Sequence, residues 1–148
     1  MKSKHKLNIR KAKTKDVVRL VELTGQLGYP TDLRQMTKRL NLVLKDKDAA
    51  CFVAEAPNEQ VIGWVHVSVI PLLEVDRRAE VNGLVVDENA RSQGTGRKLL
   101  QAAEKWARKM RCRTMSVRSN VVRERAHVFY LTNGYEHYKT QKAFRKNI

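Results

Sequence analysis

The spacing of apolar residues changes along the chain, and each spacing predicts a different kind of element. Leu7 and Ile9 alternate with polar neighbours, which indicates a short first strand. Between residues 14 and 43 the apolar positions recur every three or four residues, which predicts two amphipathic helices. Thr14 can cap the first helix, and the second helix begins near Thr31 or Asp32.

The next part of the chain is rich in β-branched residues and predicts strands. Residues 51–54 and the long run 61–70 are strand-like and flank a turn at residues 57–59. This arrangement predicts a hairpin.

The Asn82-Gly83 pair permits two interpretations. Asn-Gly between apolar pairs is typical of a type I′ hairpin turn. Alternatively, one continuous strand covers residues 79–86, and Gly83 marks a bulge or a close approach of the backbone. The pattern alone leaves both interpretations open and slightly favours the continuous strand.

The last third of the chain predicts two helices and two strands. Apolar residues from 99 to 110 lie on one side of a third helix. Residues 114–117 predict a strand, residues 124–131 a short helix, and residues 135–144 a last strand.

Length and composition limit the classes of protein to be considered. A chain of 148 residues can form one domain with its own core, and we expect a single domain over residues 1–148. No apolar stretch approaches the ~20 residues of a membrane span, and no signal peptide is evident. We therefore expect a cytoplasmic protein with no membrane partner. Cys51 and Cys112 lack metal-ligand spacing, which favours buried free thiols and no metal site.

The net charge of +15 results from 30 Lys and Arg against 15 Asp and Glu. Such a charge attracts nucleic acids, acidic proteins or polyphosphates, but it carries no information about the fold. The basic residues are spread along the chain, so we interpret most of them as solvated faces.

A glycine-bearing loop, residues 91–98, lies between the apolar run 84–86 and the third helix. Backbone N–H groups at a helix start lack intrahelical acceptors, and the helix dipole makes this end positive. Gly94 and Gly96 allow the backbone to approach a ligand closely. The surrounding cations are Arg91, Arg97 and Lys98. The loop therefore predicts a site for a phosphate-bearing anion.

Two motifs resemble those of the GNAT acetyltransferase superfamily. RSQGTG stands at the head of the third helix and fits the pattern Gln/Arg-x-x-Gly-x-Gly/Ala. AHVFYLTNGY lies about 35 residues further on and provides an Ala, an aromatic-Tyr pair and a Gly-aromatic pair. The matching residues are Arg91, Gly94, Gly96, Ala126, Phe129, Tyr130, Gly134 and Tyr135. A short glycine loop alone also occurs in unrelated folds, but the two motifs in this order are specific.

The resemblance implies a fold. It is an α/β fold with a mixed, mostly antiparallel central sheet of about six or seven strands, flanked by helices and splayed at the central strands. The family keeps one bulged strand at Asn82-Gly83, so the resemblance favours the continuous strand.

The resemblance also implies acetyl-CoA as the cofactor. The strand before the loop would pair with the pantetheine arm like an added strand, and the loop amides would hold the pyrophosphate. Asn120 and Tyr130 match positions near the cofactor. The implied cofactor-binding residues are Leu84, Val85, Val86, Arg91, Ser92, Gln93, Gly94, Thr95, Gly96, Arg97, Lys98, Asn120 and Tyr130.

The implied reaction is direct transfer of acetyl to a primary amine. An alkyl ammonium group has a pKa of ~10, so a base must remove a proton before attack. Glu80 is the candidate base, because alternation places it on one face with Asn82 and Leu84 unless a bulge intervenes. An exposed, ion-paired carboxylate is the competing interpretation of Glu80. The N–H of Val86 would stabilise the oxyanion, and Tyr130 would protonate the departing thiolate.

The sequence does not identify the amine acceptor. The family acetylates aminoglycosides, polyamines, small metabolites and protein amines, and a homodimer is its common arrangement. The competing functions are a non-catalytic nucleic-acid-binding protein and a regulatory protein that responds to acyl-CoA. An aromatic content of 6% and the lack of a recognised nucleic-acid module weigh against a nucleic-acid partner.

Overall fold

The computed structural model describes residues 6–91, 93–119 and 121–148, and their contacts divide the chain into two compact units. The first unit ends at Val117, and the second unit is Arg118–Ile148.

The first unit is built on a five-stranded sheet whose spatial order follows the chain. The strands are β1 (Asn8–Lys11), β2 (Ala49–Glu55), β3 (Val61–Ile70), β4 (Arg78–Val86) and β5 (Met115–Val117). The first four strands pair antiparallel, and β5 lies parallel to β4. The predicted mixed, mostly antiparallel α/β class is confirmed, with fewer strands among the described residues than expected.

Helices cover both faces of this sheet. The α-helices among the described residues are α1 (Val17–Leu27), α2 (Leu33–Lys45), α3 (Thr95–Lys109) and α4 (Glu124–Thr132), the last of them in the second unit. Leu23 of α1 and Leu40 of α2 join Val53 of β2 in a buried cluster, against which Trp64 of β3 packs. Gly63 points to the opposite face, where a Cβ atom built on it would lie 3.0 Å from Cδ1 of Leu99 on α3.

The start of α2 follows local capping chemistry. Asp32 is the N-cap of α2, and its carboxylate accepts a hydrogen bond from the amide of Gln35 at 2.8 Å. The predicted start near Thr31 or Asp32 is therefore confirmed. Helix α3 begins at Thr95, four residues before the apolar pattern at Leu99, because its first turn is polar and amphipathic spacing does not detect it.

The predicted hairpin of β2 and β3 is confirmed, and so is the continuous strand over Asn82-Gly83. Val67 faces Val81 while His66 faces Gly83, so β4 carries one extra residue, Asn82, at this point. The Asn-Gly pair therefore forms a bulge inside β4 rather than a hairpin turn.

The predicted last strand over residues 135–144 is wrong. The structure assigns no helix or strand to residues 135–148. A strand needs a neighbouring strand to accept its backbone hydrogen bonds, and apolar alternation alone does not supply one. Tyr138 and Phe144 contribute to the apolar alternation, but their side chains are 62% and 91% exposed. The alternation therefore does not correspond to a buried face.

Two smaller expectations can be compared with the structure. Cys51 and Cys112 are buried free thiols, as predicted. Within the described ranges, every helix is too short or too polar to cross a lipid bilayer.

Candidate functional site

The central feature of the site is an edge of β4 that the described strands leave unpaired. β4 pairs with β3 over most of its length, but its pairing with β5 involves three residues only, from Ala79 to Val81. No described strand pairs with residues 82–86 on that side. Because β5 ends at Val117, opposite Val81, the edge of β4 is unpaired from the bulge onward among the described residues.

The backbone of Leu84 and Val86 points toward this open edge. The amide of Asp87 donates to the carbonyl oxygen of Ile62 on β3 at 2.7 Å. Successive residues of an antiparallel strand direct their backbone groups alternately to the two sides, so those of Val86 and Leu84 point away from β3. Both predicted residues thus offer N–H and C=O groups to an extended ligand, whereas Val85 directs its backbone groups to β3.

Gly83 lets the ring of Trp64 approach β4. A Cβ atom at position 83 would lie 2.7 Å from Cη2 of Trp64, which is closer than real Cβ contacts. The predicted close approach at Gly83 is therefore confirmed, and it occurs at the bulge where the open edge begins.

The open edge leads through a short connection to the first turn of α3. Gly94 is the N-cap of α3 and has a φ of +79°, a left-handed conformation that favours glycine. The first backbone bond of the helix runs from the Lys98 amide to the Gly94 oxygen at 3.1 Å. The amides of Thr95, Gly96 and Arg97 therefore precede the first intrahelical bond and remain for an anion, while Lys98 can contribute its ammonium group.

Arg91 lies between the edge and this turn. Its Nε donates to the carbonyl oxygen of Val86 at 3.3 Å, so its guanidinium stands at the end of the open edge. Gln93 and Arg97 are exposed in the same segment. Ser92, a predicted cofactor-binding residue, lies outside the described residues.

An ion pair between distant residues holds the beginning of this connection. Arg19 of α1 contacts the Asp87 carboxylate at 2.8 Å and donates from Nε to the oxygen of Val61 at 2.8 Å. The Asn89 amide and the Arg19 guanidinium lower the pKa of Asp87 despite its burial. The side-chain oxygen of Gln26 also accepts from the Glu88 amide at 3.0 Å. Sequence reasoning missed this anchor, because no spacing pattern connects residues 68 positions apart.

Glu80 is buried on β4, with a relative exposure of 9%, and is not an exposed surface carboxylate. The hydroxyl of Ser116 on β5 donates to its Oε1 at 3.3 Å. Ser68 lies directly opposite Glu80 on β3. The structure therefore places the predicted base in a buried position among small polar side chains.

The bulge changes the expected relation between Glu80 and Leu84. Cross-strand partners share a face, so Glu80 lies with Ser68 while Leu84 lies with Val65 on the other face. The extra residue, Asn82, shifts the alternation by one position and separates the two side chains. Glu80 shares its face with Trp64, and thus with α1 and α2.

Further polar residues on this face were not predicted as site residues. The side-chain amide of Asn82 donates to Oγ of Ser68 at 2.8 Å. His66, opposite Gly83, is half-buried. Burial lowers the pKa of His66, although the charge of Asp46 opposes this, so the imidazole is neutral at neutral pH. The sequence did mark these positions, because they are polar residues within largely apolar strands.

The second unit contains the other predicted catalytic residue, Tyr130, on α4. Its ring forms edge contacts with the rings of Phe129 and Tyr135 at 5.2 and 5.7 Å between centroids. Its carbonyl oxygen accepts from the Tyr135 amide at 3.0 Å, just after Gly134 with a φ of +91°. Burial raises the pKa of Tyr130 to about 12, so the hydroxyl is protonated at neutral pH. Asn120 lies outside the described residues.

Comparison with known proteins relates this chain to a family of acetyltransferases. The model of the acetyltransferase (GNAT) family matches residues 16–135. The uncharacterized N-acetyltransferase YhfO of Bacillus subtilis is 27% identical over 135 residues, which cover 88% of this chain and 90% of that protein. The aminoglycoside N(6′)-acetyltransferase type 1 of Klebsiella aerogenes is 29% identical over 105 residues, or 69% of each chain.

Solved structures show the same fold. The aminoglycoside 6′-N-acetyltransferase AAC(6′)-Ih of Acinetobacter baumannii has a TM-score of 0.86 at 18% identity, covering 97% of this chain and 99% of that one. AAC(6′)-Iy, solved in complex with CoA, also has a TM-score of 0.86, at 19% identity and with 97% and 96% coverage. Since the family model spans most of the sequence and includes both motifs, this chain belongs to the acetyltransferase (GNAT) family.

Proposed function

We propose that the protein is an acetyl-CoA-dependent N-acetyltransferase acting on a primary amine, the 6′-amine of an aminoglycoside. The observation that carries the proposal is the unpaired edge of β4 over residues 82–86, which leads to the free amides at the start of α3. An extended, amide-bearing chain that ends in phosphates fits such a surface, because the edge accepts amides and the helix start accepts anions. This is the chemical outline of coenzyme A.

Each part of the surface has its own ligand chemistry. The N–H and C=O groups of Leu84 and the C=O group of Val86 pair with the pantetheine amides, which leaves the Val86 N–H for the acyl oxygen. The amides of Thr95, Gly96 and Arg97 bind the pyrophosphate. The exposed side chains of Arg91, Gln93 and Lys98 add charge and hydrogen bonds at the same end.

Three groups of this chain act on the reacting atoms in the proposal. When bound, acetyl-CoA supplies the activated acetyl group. Glu80 takes the proton from the acceptor ammonium, directly or through water. The Val86 amide donates to the acyl oxygen as negative charge develops there. Tyr130, protonated at neutral pH, donates the proton that the leaving sulfur needs.

Two observations support an aminosugar acceptor. The relative from Klebsiella aerogenes and the neighbour from Acinetobacter baumannii are named as aminoglycoside acetyltransferases. Glu80 lies on the face covered by α1 and α2, so a cationic acceptor that approaches from this face meets a buried carboxylate. The match of the family model to residues in both units supports a single acetyltransferase domain.

The first experiment measures thiol release from acetyl-CoA with two aminoglycosides that differ only in a 6′-amino or 6′-hydroxyl group. We expect thiol release, and a singly acetylated product by mass spectrometry, with the 6′-amino compound only. A thermal shift assay with acetyl-CoA measures cofactor binding separately, and saturation at about 100 times Kd should stabilise the protein by about 2.7 kcal/mol.

The outcomes distinguish the two parts of the proposal. Thiol release with a polyamine or a lysine peptide, but with neither aminoglycoside, would overturn the acceptor and retain the cofactor. An unchanged melting temperature with acetyl-CoA, together with no thiol release from any amine, would overturn the proposal as a whole.

A further inference from the structure

A groove on the first unit is lined by β1, β2 and α3. Its volume of about 530 Å³ lies within the range of about 300–1,000 Å³ that is typical of ligand sites. The apolar lining includes the half-buried side chains of Ile9, Phe52 and Trp106. The function proposed above uses none of these three residues.

The rim of this groove is strongly basic. Four exposed lysines line it, and no acidic residue does so in the part of the chain that the structure describes. They are Lys11, Lys98, Lys105 and Lys109. At 1.5 Å of rise per residue, the three lysines on α3 span about 16 Å, and the last two lie about 6 Å apart along the axis. A row of positive charges of this length can contact several phosphates of one extended chain.

Aromatic side chains also line the groove, between its lysines. Lys11 of β1 and Phe52 of β2 are cross-strand partners, so they lie on one face of the sheet. Trp106 is one residue from Lys105 and three from Lys109 on α3 and lines the same groove. The chain is poor in aromatic residues, but two of them lie between the lysines of this groove.

We propose that this groove binds single-stranded nucleic acid. Lys11, Lys105 and Lys109 contact phosphates, and the rings of Trp106 and Phe52 stack on bases, while Lys98 serves the cofactor site proposed above. A basic groove with stacking aromatics binds single strands with little sequence preference, because every base has a flat aromatic face. A lysine rim alone would attract any polyanion, whereas the aromatic floor favours bases over the side chains of an acidic polypeptide.

The test measures binding of a fluorescently labelled oligothymidylate to the full chain by anisotropy, over about 50 to 200 mM salt. The groove variant is Lys105→Gln/Lys109→Gln. Each phosphate contact contributes about 0.7 to the slope of log K against log salt for a single strand, so we expect the slope to fall by about 1.4. The matched control is Lys38→Gln/Lys45→Gln, which removes two exposed lysines from α2 and should leave the slope unchanged.

A second variant tests the stacking. Trp106→Leu keeps an apolar side chain in the groove, and we expect it to weaken oligothymidylate binding at least about fivefold at constant salt. The melting temperature of Trp106→Leu shows whether this variant folds. If it does not fold, the variant Lys105→Gln/Lys109→Gln still tests the proposal.

Three results would overturn the proposal. The first is no oligothymidylate binding by the unmodified protein at the lowest salt. The second is an equal loss of slope in the groove variant and the α2 control, because binding would then depend on net charge alone. The third is displacement of the oligonucleotide by poly-glutamate of equal charge at equal concentration, which would make the groove a site for acidic polypeptides.

Discussion

The hydroxyl of Ser116 lies 3.3 Å from Oε1 of Glu80, on parallel strands whose residues are 36 positions apart in the chain. This hydrogen bond orients a buried carboxylate on the strand that also provides the open edge. It brings β5, the shortest strand of the described sheet, into direct contact with the proposed base.

Glu80→Gln should lower turnover about 100-fold or more, since loss of a general base costs about 10²–10⁴ in rate. The amide keeps the size of the side chain and can still accept from Ser116, so acetyl-CoA affinity should change little. The variant depends on the small fraction of acceptor that is already a free amine, whose pKa is ~10, so its turnover should rise more steeply with pH than that of the unmodified enzyme. Glu74→Gln, in the connection between β3 and β4, is the control. An identical pH profile in Glu80→Gln would move the base to another residue.

Tyr130→Phe should reduce kcat by about 10²-fold, the lower end of the range for a general acid, while the Kd for acetyl-CoA stays nearly constant. Because burial raises the pKa of Tyr130 to about 12, its hydroxyl holds its proton throughout the usual assay range. Turnover should therefore show no loss from this group below about pH 10. Tyr138→Phe removes an exposed hydroxyl from the same unit and should have no effect. Equal turnover of both variants would remove Tyr130 from the reaction.

Gly83→Ala should destabilise the protein by about 1–3 kcal/mol, because the added methyl group would collide with the ring of Trp64. Chemical denaturation measures this free energy. Gly25→Ala is the matched control, since no atom lies within 4 Å of its Cβ position in α1, and it should stabilise the helix by about 0.5–1 kcal/mol. In a Trp64→Leu background the cost of Gly83→Ala should shrink. If the cost is unchanged there, the ring contact does not determine it.

Gly94→Ala should cost about 1–2 kcal/mol of stability, because its φ of +79° is unfavourable for a residue with a Cβ atom. It should also weaken acetyl-CoA binding, since Gly94 sets the direction of the amides that follow. Gly28→Ala is the control: its φ of +103° predicts a similar stability loss at the end of α1. Calorimetric titration with acetyl-CoA should separate the two variants, and equal Kd values would argue against a cofactor role for this turn.

The buried thiol of Cys51 should make the protein sensitive to alkaline pH. Burial raises its pKa to about 12, with a smaller contribution from the charge of Asp16. The pKa is higher in the folded state, so the stabilisation is complete below the pKa of the unfolded thiol and is lost as pH rises toward 12. Between these two pKa values, the ionisation of Cys51 alone should lower the free energy of unfolding by about 1.4 kcal/mol per pH unit. Urea unfolding of Cys51→Ala under reducing conditions should show a correspondingly shallower dependence, and an equal slope would exclude the thiol as the cause.

The helix start that carries the proposed anion site was predictable in outline from local sequence. The spacing of Gly94 and Gly96 before an amphipathic helix indicated an anion site, because capping and glycine conformations are local properties. The ion pair of Arg19 with Asp87 was not predictable, because it depends on how α1 packs against the end of β4. The alternation rule failed between Glu80 and Leu84 for a similar reason, since a bulge can be located only from the partner strand.

By itself, the sequence determined the order of the elements through β5, the two motifs and the family. These depend on local periodicity and on residue types at short spacing, which every segment carries within itself. Only the tertiary structure decided that Asn82-Gly83 is a bulge, that the pairing of β4 with β5 ends at Val81, and that Glu80 is buried against Ser116. It also decided that residues 135–144 form no strand. Strand pairing and burial depend on a neighbour elsewhere in the chain, and no local pattern specifies that neighbour.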